Sequence, residues 1–219
     1  MFNGFVGQLI DGAKVTIFVA FAAIFIGLIL GLLGAICELS KIKIVNHLAT
    51  WISSMIRGIP ELLVIFAIYF GGTILLSKIF SSHTEIDSFT AGITALGVIY
   101  GAYATQVFRG AFLMVHKGQY ESSKALGLSP MTTFRVILLP QVFRYALPGL
   151  SNLCLVTLKD SSLVALIGLH ELTFNAQIAA TESYKPFTYY MLCALIYLVL
   201  TSIFELLFKF MSNRKKYGY

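Results

Sequence analysis

The stretch VTIFVAFAAIFIGLILGLLGAI, residues 15–36, contains no charged side chain. It is long enough to cross a bilayer, since a membrane-spanning α-helix needs about 20 mostly apolar residues. The whole chain shares this character: of its 219 residues, 12% are charged, and the mean hydropathy is +0.83. Soluble domains carry about 25% charged residues. The composition therefore predicts an integral membrane protein and excludes a soluble enzyme, a disordered chain and a nucleic-acid-binding module, in spite of a net charge of +6.

Four more apolar segments follow the first. Together they predict an all-α membrane protein with five transmembrane helices, over residues 15–36, 44–76, 89–114, 145–169 and 187–208. Two of the segments are interrupted. The second holds the charged residues Arg57 and Glu61 and the helix-breaking Pro60, and the fourth holds the charged residues Lys159 and Asp160. We expect a transmembrane domain over residues 15–211, preceded by an extracytoplasmic segment (1–14) and followed by a basic tail (212–219).

The distribution of basic residues predicts the orientation. Twelve Lys and Arg residues follow the first, third and fifth spans, whereas three lie on the opposite side. Cytoplasmic loops of membrane proteins carry the excess of positive charge. The N-terminus is therefore expected outside and the C-terminus in the cytoplasm, where the basic tail would contact anionic lipid.

The largest polar insertion, residues 117–140, lies on the predicted cytoplasmic side. Apolar residues recur in it at roughly helical spacing, and Ser129 followed by Pro130 is typical of a helix start. We expect two short helices that meet near Gly127, where glycine permits a sharp turn. The apolar side chains of such an elbow predict a docking surface for another protein.

One motif in this elbow carries a family resemblance. Residues 121–127 read ESSKALG and residues 137–140 read ILLP, with nine residues between Gly127 and Ile137. This spacing resembles the EAA---G---------I-LP signature of the permease subunits of bacterial ABC importers, with serines in place of the two alanines. In that family the loop lies in a cleft of the ATPase subunit. The resemblance therefore implies a coupling role for Glu121, Ser122, Ser123, Gly127, Ile137 and Pro140.

Other segments are similar to the polar amino acid subgroup of these permeases, most of all to arginine importers, with histidine and lysine importers close behind. They are RGIPELL (57–63), IYFG (68–71), YGAYATQVFRG (100–110), LPQ (139–141), ALPG (146–149) and LKDSSL (158–163). The resemblance implies an ABC importer type I fold in the bacterial cytoplasmic (inner) membrane. It also implies transport of polar, cationic L-amino acids, with arginine favoured.

The same resemblance implies a set of partners. These are a second permease subunit, identical or homologous, two ABC ATPase subunits, an extracytoplasmic amino-acid-binding protein and the lipid bilayer. The chain contains no GxxxxGK[ST] phosphate-binding loop. ATP and Mg would therefore bind the ATPase subunit, and this chain is expected to be a transporter subunit without a cofactor and not an enzyme. Its scattered cysteines and histidines show no metal-ligand spacing.

Two carboxylates inside predicted spans are candidates for the substrate pathway. A charge there costs roughly 2.5–3.5 kcal/mol on insertion scales, so it usually faces a polar cavity or a partner. Asp160 could bind a cationic side chain with help from Ser161 and Ser162, or it could form an ion pair between helices. Glu61 follows a helix-breaking proline, the kind of position at which transporters bind ligands. Alternatively, Glu61 could pair with Arg57, four residues earlier.

The third span offers Tyr103 and Gln106 as further pathway residues. With Tyr100 they are spaced three apart, and their polar ends suit a cavity wall. Packing within the helix bundle would explain them equally well. Gly27 and Gly31, at GxxxG spacing, are expected to form a helix–helix contact.

Two other classes of function compete with the importer. An ion-coupled secondary transporter could use Glu61 and Asp160 as ion ligands, but its uptake would need no ATPase, and five spans with one long elbow lack the usual paired repeat. A non-transporting scaffold could recruit a partner with the loop, but it has little need of charges within the membrane.

Overall fold

The computed structural model describes residues 2–80 and 85–214, and nearly all of them are helical. In chain order the helices are α1 (Phe2–Glu38), α2 (Lys43–Gly58), α3 (Glu61–Phe66), α4 (Gly72–Phe80), α5 (Ser88–Met114), α6 (Lys117–Ala125), α7 (Pro130–Thr132), α8 (Leu139–Asp160), α9 (Leu172–Ser183) and α10 (Pro186–Arg214). Two π-helical segments, Ala67–Gly71 and Thr133–Leu138, and a 3-10 segment, Ser161–Ile167, join some of them end to end. No strand occurs in the described residues.

Five helical stretches among the described residues are long and apolar enough to cross a membrane. They are Gly4–Glu38, Glu61–Ile79, Ser88–Met114, Pro130–Ile167 and Pro186–Phe210. The prediction of an all-α chain with five apolar spans is therefore confirmed. The bounds differ most in the second span: the predicted stretch 44–76 is interrupted at Ile59 and Pro60, which have extended backbone angles, so that α2 is separated from the helical stretch Glu61–Ile79.

The core of the molecule is the contact between α1 and α5. Small residues let the two helices approach closely: a Cβ at Gly27 would lie 2.6 Å from Tyr100 Cδ1, and one at Gly31 would lie 2.5 Å from Ala104 Cβ. Such a spacing leaves no room for a methyl group on either glycine. The expected helix contact of the GxxxG pair is thus confirmed, with α5 as its partner.

The N-terminal segment is part of α1 and does not form a separate region. Leu9 and Ala13 are buried against α9 and α10, so residues predicted to precede the first span continue its helix. Glu171 links α1, α9 and α10 in this region. Its carboxylate accepts hydrogen bonds from Thr16, from Tyr197 and from the backbone N–H of Phe174 in the first turn of α9. Burial raises the pKa of the Glu171 carboxyl. Of the predicted basic tail, residues 215–219 lie outside the described part of the chain.

Candidate functional site

The break between α2 and α3 places a carboxylate within the helix bundle. Pro60 lacks an N–H group and has an extended ψ of 134°, so α3 begins anew with Glu61 in its first turn. The Tyr103 hydroxyl, from α5, donates a hydrogen bond of 3.1 Å to Glu61 Oε1. Both side chains are half-buried. The Arg57 guanidinium donates to Ser53 O and Ser54 Oγ and forms no ion pair with Glu61, although its charge lies close enough to interact with Tyr103.

Asp160 reaches the same region from α8. It is the last residue of that helix, where the backbone changes to a 3-10 helix at Ser161. Asp160 is half-buried, and its charge lies close enough to interact with both Glu61 and Tyr103. Its neighbour Lys159 is exposed, as expected for adjacent helix positions about 100° apart. The ion pairs found among the described residues, Lys14–Asp11 and Arg109–Glu38, include neither Glu61 nor Asp160.

The structure thus brings together three of the predicted pathway residues. Glu61, Tyr103 and Asp160 come from three different elements: the Tyr103 hydroxyl binds Glu61, and the Asp160 charge lies within electrostatic range of both. A cation with several N–H donors suits such a site, because donors of positive charge form the strong hydrogen bonds to carboxylates. Ser162, half-buried two residues after Asp160, adds a hydroxyl nearby in the chain.

Two other predicted pathway residues are directed elsewhere. Ser161 is 1% exposed, and its hydroxyl donates to Leu158 O at 2.8 Å. The Gln106 amide donates to both oxygens of Glu38, at 2.8 and 3.0 Å. Ser161 is buried in the bundle at the start of the 3-10 segment. Gln106 lies three residues after Tyr103, about 4.5 Å further along α5. Neither side chain contributes to the carboxylate site.

Glu38 was missed by the sequence analysis. It is 3% exposed at the end of α1 and accepts a hydrogen bond of 2.5 Å from Ser53 Oγ as well as those from Gln106. Arg109 Nε lies 3.5 Å from Glu38 Oε2, and the Asn46 amide donates to the Glu38 backbone oxygen. The available signal was a carboxylate directly after an apolar run, with Gln106 and Arg109 on a second span.

The elbow has two helical arms, but only the first, α6, is the short helix expected; the second begins at Pro130 and continues without a break into the fourth apolar stretch, Pro130–Ile167. α6 ends at Ala125, and Gly127, two residues later, has a φ of +70°; the amides of Gly127 and Leu128 donate to Lys124 O and Ser123 O. These are the two hydrogen bonds of a Schellman motif, which favours glycine at this position. Ser129 then caps α7, with its Oγ 3.2 Å from the Thr132 amide, and Pro130 takes the first helical position.

The surface of the elbow matches a docking role. Leu126 and Met131 are 75% and 60% exposed on either side of the turn. Of the predicted coupling residues, Glu121, Ser122, Gly127 and Pro140 are exposed, Ile137 is half-buried, and Ser123 is fully buried with its hydroxyl on Tyr120 O. Ser123 therefore supports the elbow from inside. In the described part of the chain no group of His, Cys, Asp and Glu residues could hold a metal ion.

Comparisons with known proteins agree with this architecture. Residues 23–217 match the family described as "binding-protein-dependent transport system inner membrane component". The arginine ABC transporter permease protein ArtQ of Haemophilus influenzae is 41% identical over 93% of this chain and 91% of its own length. The histidine/lysine/arginine/ornithine transport system permease protein HisQ of Escherichia coli is 36% identical over 100% of this chain and 97% of its own.

Solved structures show the same fold. A chain of an amino acid ABC transporter, crystallised with histidines, has a TM-score of 0.84 and 32% identity, and the match covers 97% of this chain and 96% of that one. A chain of the inward-facing MetNI methionine ABC transporter, at 19% identity, has a TM-score of 0.77 over 98% and 99% of the two chains, which shows the fold alone. By its family match and by relatives of this identity and coverage, the chain belongs to the inner membrane components of binding-protein-dependent transport systems, the permease subunits of ABC importers.

Proposed function

We propose that this chain forms the translocation pathway of an ATP-driven importer for cationic L-amino acids, with arginine as the favoured substrate. Glu61, Tyr103, Asp160 and Ser162 would bind the substrate within the membrane. The single observation that carries the proposal is the Glu61 carboxylate held inside the bundle by the Tyr103 hydroxyl, with Asp160 from a separate element in electrostatic range and neither carboxylate in an ion pair found among the described residues.

The charge of the site supports a cationic substrate. Two carboxylates held near each other in a membrane are costly unless a cation compensates them. A guanidinium group offers five N–H donors in a planar fork that matches carboxylate oxygens. The Tyr103 hydroxyl holds Glu61 in place and leaves its second oxygen for a ligand.

The names of the relatives favour the same substrate class. They include permeases for arginine, for histidine, lysine, arginine and ornithine, and for octopine. Most of the substrates in these names carry a cationic or guanidinium-bearing side chain, which fits the carboxylate site.

The elbow would couple transport to ATP hydrolysis on a separate subunit. Leu126 and Met131 expose apolar surface beside Gly127, and burial of such surface favours association with a partner protein. We place ATP and Mg on two ATPase subunits, one for each of two permeases, and an amino-acid-binding protein on the opposite side. The basic residues that follow the first, third and fifth spans support an orientation with the elbow and the C-terminus in the cytoplasm and the N-terminus outside the inner membrane.

The test is uptake by proteoliposomes that contain the complex purified from its native membrane, with enclosed ATP and added binding protein. We expect ATP-dependent uptake of labelled arginine, and a loss of about tenfold or more in Glu61→Gln and Asp160→Asn, the size expected when a hydrogen bond to a charged group is removed. Uptake driven by an ion gradient without ATP would favour a secondary transporter instead.

A matched control distinguishes the loss of a carboxylate in the proposed site from the loss of a buried carboxylate elsewhere in the chain. Glu171→Gln removes a buried carboxylate that is held by Thr16 and Tyr197 and lies apart from the pathway. It should keep arginine uptake near the wild-type rate. If Asp160→Asn and Glu61→Gln transport arginine as well as wild type does, or if wild type transports glutamine alone, the cationic site is refuted.

A further inference from the structure

We infer that Glu38 is a positioning residue for the substrate site: its carboxylate clamps α2 to α5 and thereby fixes Glu61. The inference rests on the proposed function of Glu61. It concerns a residue that touches no pathway group itself and would act through the helix that leads to the site.

Glu38 joins three helices at one point. It ends α1, and its carboxylate accepts hydrogen bonds from Ser53 of α2 and from Gln106 of α5. Gln106 also reaches Ser53 Oγ at 3.4 Å, and Arg109 contributes the positive charge. A carboxylate that is 3% exposed is stable only with this many partners, so the cluster is a specific structure and not a chance contact.

The cluster holds a helix that buries few of its own side chains. Most of α2 is exposed, and Ser53 is its one residue classed as fully buried. The exposed residues include Ile44, Leu48 and Trp51, which do not face the bundle. The hydrogen bonds of Ser53 and Asn46 to Glu38 therefore provide a large part of the attachment of α2 to α1 and α5.

The position of α2 decides the position of Glu61. Eight residues after Ser53, and directly after the break at Pro60, the chain reaches Glu61. Tyr103 and Gln106 lie on neighbouring turns of α5, and they bind Glu61 and Glu38 respectively. The segment around the break is thus attached to α5 at two points. If the hydrogen bonds of Glu38 are lost, Glu61 is held only by the Tyr103 hydroxyl and by the packing of α3.

The α5 helix, which binds both Glu61 and Glu38, also leads to the elbow. α5 ends at Met114, and α6 begins at Lys117 after two residues. Phe112, near the end of α5, stacks with Phe134 of the elbow at a ring distance of 6.2 Å. A displacement of the elbow would therefore be transmitted along α5 to Gln106 and the Glu38 cluster, which lie nearer to the elbow end of α5 than Tyr103 and Glu61 do.

The experiment measures binding of labelled arginine to the purified permease–ATPase complex without binding protein. Glu38→Ala should weaken arginine binding about tenfold, and Glu38→Gln, which keeps an acceptor for Ser53 but loses the charge facing Arg109, should weaken it less. Glu171→Gln is the matched control, a buried carboxylate removed far from α2, and should bind arginine like wild type.

A double-mutant cycle distinguishes positioning from general damage. If Glu38 acts through Glu61, then Glu38→Ala should add little to the loss caused by Glu61→Gln. Equal losses from Glu38→Ala with and without Glu61→Gln, or wild-type binding by Glu38→Ala alone, overturn the inference. Wild-type binding by Glu61→Gln alone would instead overturn the proposed substrate site.

Hydrogen exchange tests the clamp even where binding becomes too weak to measure. Amides of α2, Lys43–Gly58, should exchange faster in Glu38→Ala than in wild type, while those of α9, Leu172–Ser183, stay unchanged. In Glu171→Gln the amides of α9 should exchange faster than in wild type, while those of α2 stay unchanged. Unchanged exchange of α2 in Glu38→Ala overturns the inference.

Discussion

If the elbow docks on an ATPase subunit as proposed above, replacement of Gly127 by alanine should weaken the binding of that subunit. The φ of Gly127 is +70°, in the left-handed region, and an L-residue there costs roughly 1–2 kcal/mol. A Cβ at this position would meet nothing within 4 Å, so the penalty comes from the backbone alone. The side chain could not relieve it by moving a neighbour.

The hydrogen bonds of the turn determine what the elbow loses. Gly127 N donates to Lys124 O at 2.9 Å, and Leu128 N donates to Ser123 O at 3.0 Å. A backbone that leaves the left-handed region would break both. A penalty of about 1–2 kcal/mol reduces the population of the intact turn relative to its alternatives by a factor of about 5–30.

The assay is equilibrium binding of the ATPase subunit to the permease in lipid nanodiscs. If only the intact elbow docks, Gly127→Ala should raise the dissociation constant by up to this factor. Gly127→Asn should raise it less, because asparagine tolerates the left-handed region. Gly110→Ala is the matched control, since Gly110 lies in α5 and also has open space around its Cβ position. Unchanged binding in Gly127→Ala, or weaker binding in Gly127→Asn than in Gly127→Ala, would refute the reasoning.

Two further predictions concern the stability of the helices. Gly27→Ala should lower the free energy of unfolding by about 1–3 kcal/mol, because its methyl group would overlap Tyr100 and Gly97 O, and thermal unfolding of the purified complex should show a lower midpoint. Asp87→Ala should cost about 1 kcal/mol at neutral pH, because the Asp87 side chain caps α5 through the Thr90 amide at 2.9 Å. Hydrogen bonds from Thr90 hold the pKa of Asp87 below its ordinary value, so the capping contribution is present above that ordinary value. It is lost as the pH falls through the lowered pKa, where thermal midpoints of wild type and Asp87→Ala should converge.

Local features of the fold could be read from the sequence because their causes are local. The apolar runs predicted five spans, and the glycine and the Ser129–Pro130 pair predicted the turn of the elbow and the helix start that follows it. A Schellman turn and a helix cap need residues that are neighbours in the chain. Gly27 and Gly31 predicted a close helix contact, although the identity of the partner helix came from the structure.

Features that depend on which helices meet could not be predicted. Gln106 has the spacing of a pathway residue relative to Tyr103, yet it binds Glu38 because α1 ends at the same depth. Ser161 turns inward because the backbone tightens to a 3-10 helix after Asp160. Helical periodicity shows which side chains share a face, but not what that face contacts.

The two carboxylates of the site differ in their backbone surroundings, and this difference divides their roles. Glu61 lies in the first turn of α3, where unpaired backbone N–H groups give a partial positive charge that compensates a carboxylate by about 0.3–1 kcal/mol. Asp160 lies at the C-terminal end of α8, where the helix backbone gives no such compensation, and the exposed neighbour Lys159 supplies the positive charge on its own helix. We infer that Asp160 attracts the substrate cation more strongly, while Glu61, held by Tyr103, orients it. In the uptake assay Asp160→Asn should therefore lose more arginine transport than Glu61→Gln, and the opposite order would contradict this division.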